Sequence, residues 1–360
     1  MKFREISYCS FTGPLGCSRF PGLARLSNGE LVVLFDDGKS ASSAEHEMQI
    51  ARSCDNGRTF TGGGIMYDKA RLALSCGFTD SCKPTVIDND ELVSVGYGFL
   101  RETDQSLESY AVEHGRFPTS YNTFSRSIDG GKTWETPSFI SHQFDTALEL
   151  SGPALWCVPE KTLLVFGPPF VLKGHKQQGV VLSSTDRGRN WEQAGTFFNS
   201  DTVAPWEVRS LRESSGRIWL VLWNYDFATG EHLNTRLVYS DDLGRSWSEP
   251  FDTGLRGQAA NLFEAGGKTF VLYTLREGEN TGIYCAPFEF SDKLSVGGST
   301  LLWSASGRSA AEGECIEKQF GALKFGQPSM TYLGGKEYLL LYWSCEQEEY
   351  AIRARVFEVE

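Results

Sequence analysis

Acidic, arginine and aromatic residues gather at two kinds of position in this 360-residue chain: where certain strand-like segments begin, and in the loops after the segments that follow them. Paired carboxylates carry out glycoside hydrolysis, one as general acid and the other as nucleophile or base. Aromatic rings beside them provide flat apolar walls for the faces of sugars. The first kind of position holds Arg19, Lys83, Ser151, Trp206, Glu207, Gln258, Asn261 and Gln327. The second kind includes Asp36, Asp37, Glu45, His46, Glu47, Tyr97, Arg101, Tyr225 and Arg276.

The elements that position these residues are marked by a repeated octapeptide, S-x-D-x-G-x-[ST]-[WF]. In such a turn the Asp side chain accepts hydrogen bonds from nearby backbone amides, the Gly supplies a left-handed conformation, and the aromatic ring packs back onto the sheet. The near-regular spacing of the copies indicates one structural unit that recurs along the chain. The copies lie at 53–60, 127–134, 184–191 and 240–247, with Asn190 as the one deviation.

The octapeptide resembles the Asp-box of the sialidase (BNR-repeat) superfamily, where it forms a structural turn between the third and fourth strands of a propeller blade. The resemblance implies an all-β fold, a six-bladed β-propeller of four-stranded antiparallel blades. A second repeat agrees with that number, because six segments each run from a small residue or proline through an apolar strand and a polar turn into a second strand. Their apolar runs are nearly continuous, as in strands buried on both faces. The segments are 21–36, 84–98, 153–167, 205–224, 259–274 and 328–343.

The chain is therefore expected to form one domain over residues 1–360. A strand near 3–9 is expected to complete the blade that contains the C-terminal strand at 351–357, which would close the ring. In a propeller the octapeptide turns lie on one face, so the site is expected on the opposite face, around the central channel. Two long irregular stretches, 100–121 and 301–325, are predicted to contribute loops to that site.

Composition limits the classes of partner and compartment. The 38 glycines and 13% aromatic residues are typical of a turn-rich β-protein. The net charge of −12 argues against nucleic acid and anionic membranes as partners. The sequence has neither an apolar run long enough to span a membrane nor the apolar core of a signal peptide, so a cytoplasmic location is expected.

Metal and cofactor signals are weak. The nine cysteines include no CxxC pair and the five histidines are scattered, which argues against a zinc site and favours buried free thiols. The sequence carries no dinucleotide or P-loop fingerprint, so no organic cofactor is expected.

The resemblance also reaches individual site residues. Ser18-Arg19-Phe20-Pro21 is similar to the Arg-Ile-Pro motif of sialidases. That similarity implies that Arg19 is the first of three arginines that hold a substrate carboxylate, a role that suits the guanidinium fork. Arg276 stands where the third is expected, whereas Trp223 and Asn224 occupy the place of the second.

Two further positions bear on the chemistry. Glu207 resembles the family's glutamate that polarises the nucleophile. Gln327 stands where the nucleophilic tyrosine is expected, and an amide cannot form the covalent intermediate. The family's acid/base aspartate lies in the loop after the first hairpin; here Asp37, Glu45 and Glu47 are the candidates in that loop, and the choice among them stays open.

These patterns lead to three hypotheses. The first is an exo-acting glycoside hydrolase that releases a terminal sugar from an oligosaccharide and is not a true sialidase. It uses Glu207 with Asp37, Glu45 or Glu47, and binds substrate through Arg19, Trp206, Tyr225, Arg276 and Gln327. The second is a non-catalytic carbohydrate-binding propeller. The third is a lyase acting on uronates, in which Arg19 and Arg276 neutralise the substrate carboxylate.

Overall fold

Antiparallel strands account for most of the computed structural model, which describes residues 1–74, 76–305 and 323–360. Within those residues the strands form successive antiparallel meanders, in which most strands pair with the next along the chain. After an N-terminal strand β1 (Phe3–Phe11), the first two meanders consist of β2 (Cys17–Arg25), β3 (Leu31–Gly38), β4 (His46–Ser53) and β5 (Thr61–Ile65), then β6 (Gly77–Val86), β7 (Leu92–Arg101), β8 (Ser120–Ser127) and β9 (Ser138–Ile140).

The next two meanders follow the same plan, and the fourth has one additional short strand. They consist of β10 (Leu155–Cys157), β11 (Thr162–Gly167), β12 (Gln177–Ser184) and β13 (Glu192–Ser200), then β14 (Val203–Arg212), β15 (Ile218–Asp226), β16 (Glu231–His232), β17 (Arg236–Ser240) and β18 (Phe251–Asp252).

The last two meanders complete the described chain. They consist of β19 (Gln258–Ala265), β20 (Lys268–Leu275), β21 (Gly282–Phe290), β22 (Leu294–Val296) and β23 (Thr300–Ser304), then β24 (Phe325–Gly334), β25 (Glu337–Glu346) and β26 (Glu349–Val359). Helical structure in the described residues is limited to a 3₁₀ turn at Lys69–Leu72 and to helix α1, Leu107–His114. Neither is long and apolar enough to cross a membrane.

The two ends of the chain meet in one sheet. Strand β1 pairs antiparallel with β26 along most of its length, and β26 also pairs with β2 in parallel through Tyr350 and Cys17. The first strands of neighbouring meanders contact each other from β2 to β24, and β24 contacts β2. The last meander is therefore adjacent to the first.

The core lies between the faces of neighbouring meanders. A separate apolar cluster lies between each meander and the next along the chain, and another lies between the sixth meander and the first. Strand β3 illustrates the cause: every residue from Leu31 to Gly38 is buried, because its nearly continuous apolar run packs against a neighbour on each face. The all-β class is confirmed, and the six segments predicted as hairpins coincide with the first two strands of the six meanders.

The octapeptides form tight turns held by their own side chains. In the second copy, Asp129 accepts hydrogen bonds from the backbone amides of Lys132 and Thr133 and from the Thr133 hydroxyl, at 3.0, 3.0 and 2.6 Å. Burial is the largest single influence and raises the pKa of this carboxyl, but the hydrogen bonds together outweigh it and lower the pKa to about 2. In the third copy the deviating Asn190 donates its side-chain amide to Asp186 at 2.6 Å and so replaces the hydroxyl. These carboxylates are occupied by the turn itself.

Candidate functional site

A cavity of about 870 Å³ opens between the meanders. Of the described octapeptide residues, none lines it, as expected for a site on the opposite side. Its wall combines the ends of β2, β3, β7, β14 and β15 with helix α1 and the segment 168–173. The stretch 100–121, predicted to be a site-forming loop, contributes this helix; most of the other predicted loop, 306–322, lies outside the described residues.

The residues predicted for the site divide into two groups. Those that line the cavity are Arg19, Trp206, Glu207, Tyr225 and Gln327, whereas Asp37, Glu45, Glu47 and Arg276 do not.

A pair of glutamates, Glu149 and Glu207, lies in the cavity wall. The backbone amide of Glu207 donates to Glu149 Oε2 at 3.1 Å, and Gln327 Nε2 donates to Glu207 Oε1 at 2.8 Å. The second carboxylate oxygen of Glu207 is buried and has no hydrogen-bond partner among the described atoms. One oxygen of Glu207 thus carries no hydrogen bond from the described residues.

The two carboxyl groups are electrostatically distinct. Burial, with a smaller contribution from the nearby charge of Glu207, raises the pKa of Glu149 to about 8, although the amide of Glu207 and the guanidinium of Arg209 oppose the shift. Glu149 is therefore mostly protonated at neutral pH. A protonated carboxylic acid beside a carboxylate is the arrangement by which two chemically identical groups take different roles.

Strained backbone holds the glutamate and the glutamine in place. Strand β14 has a register shift between Trp206 and Arg209, and Glu207 within it has φ of 45°. Gln327 has φ of 48° at the corresponding shift in β24. A left-handed conformation is uncommon for residues other than glycine, and such bulges re-aim side chains next to functional sites. The first strands β2 and β19 carry the same feature at Phe20 and Ala259, with φ of 51° and 44°.

Two buried basic residues, Lys83 and Arg209, lie near the glutamate pair but behind the cavity wall. Burial, with a smaller contribution from the charge of Arg209, lowers the pKa of Lys83 to about 7 against the opposing effects of Asp36 and Glu207. Lys83 donates to the carbonyl of Phe20 and, at 3.0 Å, to Ser81 Oγ. Burial also lowers the pKa of Arg209. These groups bring positive charge near the carboxylates without lining the cavity themselves.

In the first meander the structure corrects the predicted acid. Asp36, not Asp37, lines the cavity, because successive residues of strand β3 point to opposite sides. Asp37 turns away and accepts hydrogen bonds from the Leu15 amide and from Ser18 Oγ, at 2.7 and 2.8 Å. Asp36 Oδ2 lies 2.9 Å from His46 Nδ1. The charged group that this strand end supplies is thus an Asp–His pair.

The other two candidates in the same loop also lie outside the cavity wall. Glu45 is exposed and forms an ion pair with Lys39 on the surface. Glu47 points behind the wall: burial raises its pKa, the Lys69 ammonium opposes the shift, and Asp80 adds to it. None of the three predicted acids Asp37, Glu45 and Glu47 lines the cavity.

The two predicted arginines have different positions. Arg19 lines the cavity, donates to the carbonyl of Ala41 at 2.8 Å and lies 3.9 Å from Asp36 Oδ2. Arg276 is buried behind the wall, where it donates to the carbonyl of Phe325 at 3.0 Å and to Gln258 Oε1 at 3.1 Å. Burial lowers the pKa of Arg276 to about 10, with Glu207 opposing the shift. Of these two arginines, Arg19 lines the cavity and Arg276 does not.

The predicted aromatic wall is present beside Glu207. Trp206 and Tyr225 stack with ring centroids 5.1 Å apart and planes 14° apart, and Phe227 meets both rings edge-on. Trp206 is partly exposed, so one part of the stack is accessible from the cavity. Such a surface suits the apolar face of a sugar ring.

Sequence reasoning missed Glu149, the group with the most strongly raised carboxyl pKa in the wall. It lies in an irregular entry segment before β10, where Leu148 forms a β-bridge with Pro169 and the Leu148 amide donates to Asn122 Oδ1 at 2.7 Å. The third predicted hairpin begins at Pro153, and the sequence pattern places Ser151 before it as the leading polar residue. The described residues contain no group of three or more His, Cys, Asp or Glu side chains arranged to hold a metal ion.

Comparison with known proteins places these features in context. The chain matches no protein-family model. It is 24% identical over 253 residues to a sialidase of Bacteroides fragilis (strain YCH46), an alignment that covers 64% of this chain and 43% of that protein. The chain thus spans less than half the length of this curated relative.

Solved structures show a similar fold over nearly the whole chain. A protein of unknown function from Dyadobacter fermentans DSM 18053 superposes with a TM-score of 0.75 at 16% identity, covering 99% of each chain. The K499G mutant of the NanB sialidase from Streptococcus pneumoniae superposes with a TM-score of 0.64 at 12% identity, covering 98% of this chain and 70% of that one. At these identities the similarity establishes the fold.

Proposed function

We propose that this chain, which is sialidase-like in sequence similarity and in fold, is a glycoside hydrolase that removes a terminal sugar by a two-carboxylate mechanism. Glu149 is the general acid, and Glu207 is the carboxylate that acts as nucleophile or base. The observation that carries the proposal is their pairing: the Glu207 amide bonds to Glu149 at 3.1 Å, and burial together with the Glu207 charge raises the Glu149 pKa to about 8.

We further propose that the six meanders form a closed six-bladed propeller. Two observations support it: the first strands contact in sequence from β2 to β24 and back to β2, and an apolar cluster lies between every neighbouring pair. In such a ring the first strands surround a central channel, and the glutamate pair lies near its mouth.

The proposed reaction assigns each residue a separate task. Glu149, protonated at neutral pH, donates its proton to the glycosidic oxygen as the bond breaks. Glu207 uses the oxygen that has no partner either to attack the anomeric carbon or to activate water. Gln327 donates to the other oxygen of Glu207 and so fixes its orientation. Trp206 supports one face of the sugar.

A true sialidase mechanism is not part of the proposal. Gln327 occupies the position predicted for the nucleophilic tyrosine, and its amide donates to Glu207 at 2.8 Å. Of the two arginines inferred from the resemblance, only Arg19 lines the cavity. Both differences remove interactions that the resemblance would assign to cleavage of a sialoside.

A panel of 4-methylumbelliferyl glycosides, neutral and acidic and including the sialoside, tests the function. The wild-type chain is expected to hydrolyse at least one non-sialoside member. Glu207→Gln should lose about 10³-fold or more in kcat/KM, since removal of a reacting carboxylate disables the chemical step. Glu45→Gln is the matched control, because Glu45 is exposed and lies outside the cavity wall.

The outcomes separate the alternatives. Saturable sugar binding without turnover on any member would instead support a carbohydrate-binding protein. A product that absorbs in the near ultraviolet, released from a uronate, would indicate a lyase. Full activity in Glu207→Gln would refute the assignment of Glu207.

A further inference from the structure

The far side of the cavity differs in chemistry from the side that holds the glutamates. Its wall includes three phenylalanines and three aliphatic residues: Phe99, Leu107, Val112, Phe117, Phe170 and Leu172. We call these six residues the apolar subsite. They come from strand β7, helix α1 with the segment that follows it, and the 168–173 segment.

The three phenylalanines form one continuous cluster. The ring of Phe99 lies 4.9 Å from Phe170 and 6.3 Å from Phe117, and Phe117 lies 5.6 Å from Phe170. Tyr97 links the cluster to the reacting end: its ring is 5.0 Å from Phe170, and the charges of Glu149 and Glu207 contribute, after burial, to raising its pKa. The apolar subsite and the glutamate pair are therefore neighbouring parts of one cavity.

Helix α1 supplies the outer edge of the subsite. The side chain of Ser106 caps its first turn, and Gly115 ends it in a left-handed conformation with φ of 65°. Ala111 is buried and anchors the helix, whereas Val112 lines the cavity although 67% exposed. Burial raises the pKa of Glu108 on the same helix, and its hydrogen bonds and the charges of Arg19 and Arg101 oppose the shift.

The chemistry of the subsite selects its ligand. A second sugar ring would bring several hydroxyl groups against phenylalanine and aliphatic side chains, and each hydroxyl left without a partner is unfavourable. The stacked Trp206 and Tyr225 beside Glu207 suit the sugar face better. At about 870 Å³ the cavity is near the top of the roughly 300–1,000 Å³ range of small-molecule sites, so it has room for a sugar and a substituent.

We infer that the substrate is a glycoside whose leaving group is an aromatic or alkyl alcohol, and that this aglycone binds in the apolar subsite. The inference rests on the proposed glycoside hydrolase function for the sugar end, but binding of the aglycone to the subsite can be measured without turnover.

The probe is 4-methylumbelliferone itself, the free aglycone, titrated against the full chain and followed by its fluorescence. Saturable binding to the wild-type chain is expected. Val112→Asp should weaken it by about 10-fold or more, because a carboxylate would lie against the bound ring. Phe117→Ala should weaken it by several-fold, since each buried methylene-sized group contributes about 4-fold.

Val158→Asp is the matched control. Val158 is also an exposed valine, 61% accessible, and it does not line the cavity, so the same charge there should leave binding unchanged. Thermal unfolding and far-ultraviolet circular dichroism check that each variant is folded.

Two results would overturn the inference: no saturable binding of 4-methylumbelliferone to the wild-type chain, or equal affinity in Val112→Asp, Phe117→Ala and Val158→Asp. Failure of the proposed function gives a different result, with probe binding and its dependence on Val112 intact but no hydrolysis of any glycoside by the wild-type chain.

Discussion

Replacement of Glu149 by glutamine tests the role of the protonated acid. The substitution keeps the side-chain shape and the oxygen that accepts the Glu207 amide, but it removes the transferable proton. If Glu149 is the general acid, kcat/KM should fall by about 10²–10⁴-fold on glycosides with a poor leaving group. Glycosides of acidic phenols should lose much less, because their leaving groups depart without protonation.

The magnitude of the pH effect follows from the Glu149 pKa of about 8. At pH 7 roughly 90% of Glu149 is protonated, whereas an unperturbed glutamic acid with a pKa of about 4.3 would be protonated in only about 0.2% of molecules. Above about pH 8 the protonated fraction falls about tenfold for each pH unit. Wild-type kcat/KM should therefore have an alkaline limb near pH 8.

The assay is kcat/KM between pH 5 and 10 for the wild-type chain and for Glu149→Gln, on one phenyl and one alkyl glycoside of the same sugar. The alkaline limb near pH 8 should be absent from the variant. Glu192→Gln is the control, because Glu192 is exposed and belongs to the β10–β13 meander that Glu149 precedes; this variant should keep the wild-type pH profile. An unchanged alkaline limb in Glu149→Gln, or an equal loss on both leaving groups, would refute the assignment.

Three further predictions concern stability. Lys83 has a pKa of about 7 in the folded chain and about 10.4 in the unfolded chain, so the unfolded state binds more protons between these values and the free energy of unfolding should rise with pH from about 7 to 10. Urea titrations should show that Lys83→Met lacks this rise. The same pH dependence of unfolding free energy in the variant and the wild type would contradict the account. Gly22→Ala should lower the free energy of unfolding by about 1–3 kcal/mol, because an added Cβ would lie 2.6 Å from Lys83 Cδ, whereas Gly62→Ala meets nothing within 4 Å and should be near neutral in the same measurement. Asp129→Ala should lower the free energy of unfolding by about 1 kcal/mol at pH 7. Chemical unfolding should show this difference shrinking as pH falls from about 4 to about 2, because the wild-type carboxylate becomes protonated over that range. A difference that stays constant with pH would argue against the hydrogen-bonded carboxylate as its cause.

Repetition explains how much of the fold could be predicted. Each octapeptide contains its own hydrogen-bond acceptors, donors and turn glycine, so its turn is determined by adjacent residues, as the bonds of Asp129 show. The hairpins are similarly local. Their recurrence along the sequence predicted where the meanders begin.

The site was harder to predict because its geometry depends on single-residue register and on contacts between distant segments. Asp36 and Asp37 are adjacent in sequence, and only the pleat of β3 decides which one faces the cavity. Arg276 follows the end of β20 and is covered by Phe325 of another meander, a contact 49 residues away in the chain. Glu149 precedes β10 in a segment without periodic pattern, and its altered pKa comes from burial and from Glu207, 58 residues further on.

Gln327 illustrates what the sequence predicts well and what it leaves out. Its position at the start of the first strand of the sixth meander indicated that it lies at the site, and in the structure its side-chain amide donates to Glu207. The left-handed conformation at both residues, φ of 45° and 48°, had no sequence signal, since neither is glycine, asparagine or aspartate. Backbone strain of this kind becomes visible only once the surrounding strands are in place.

Chemical rescue at Glu207 tests the central claim most directly. On the glycoside identified by the panel, Glu207→Ala should be nearly inactive, and sodium azide should restore turnover by occupying the space of the missing carboxylate and forming a glycosyl azide, detectable by mass spectrometry. Glu45→Ala should need no rescue and form no such product. If Glu207→Ala hydrolysed the glycoside at the wild-type rate without azide and formed no glycosyl azide when azide was added, a mechanism that depends on the Glu207 carboxylate would be contradicted.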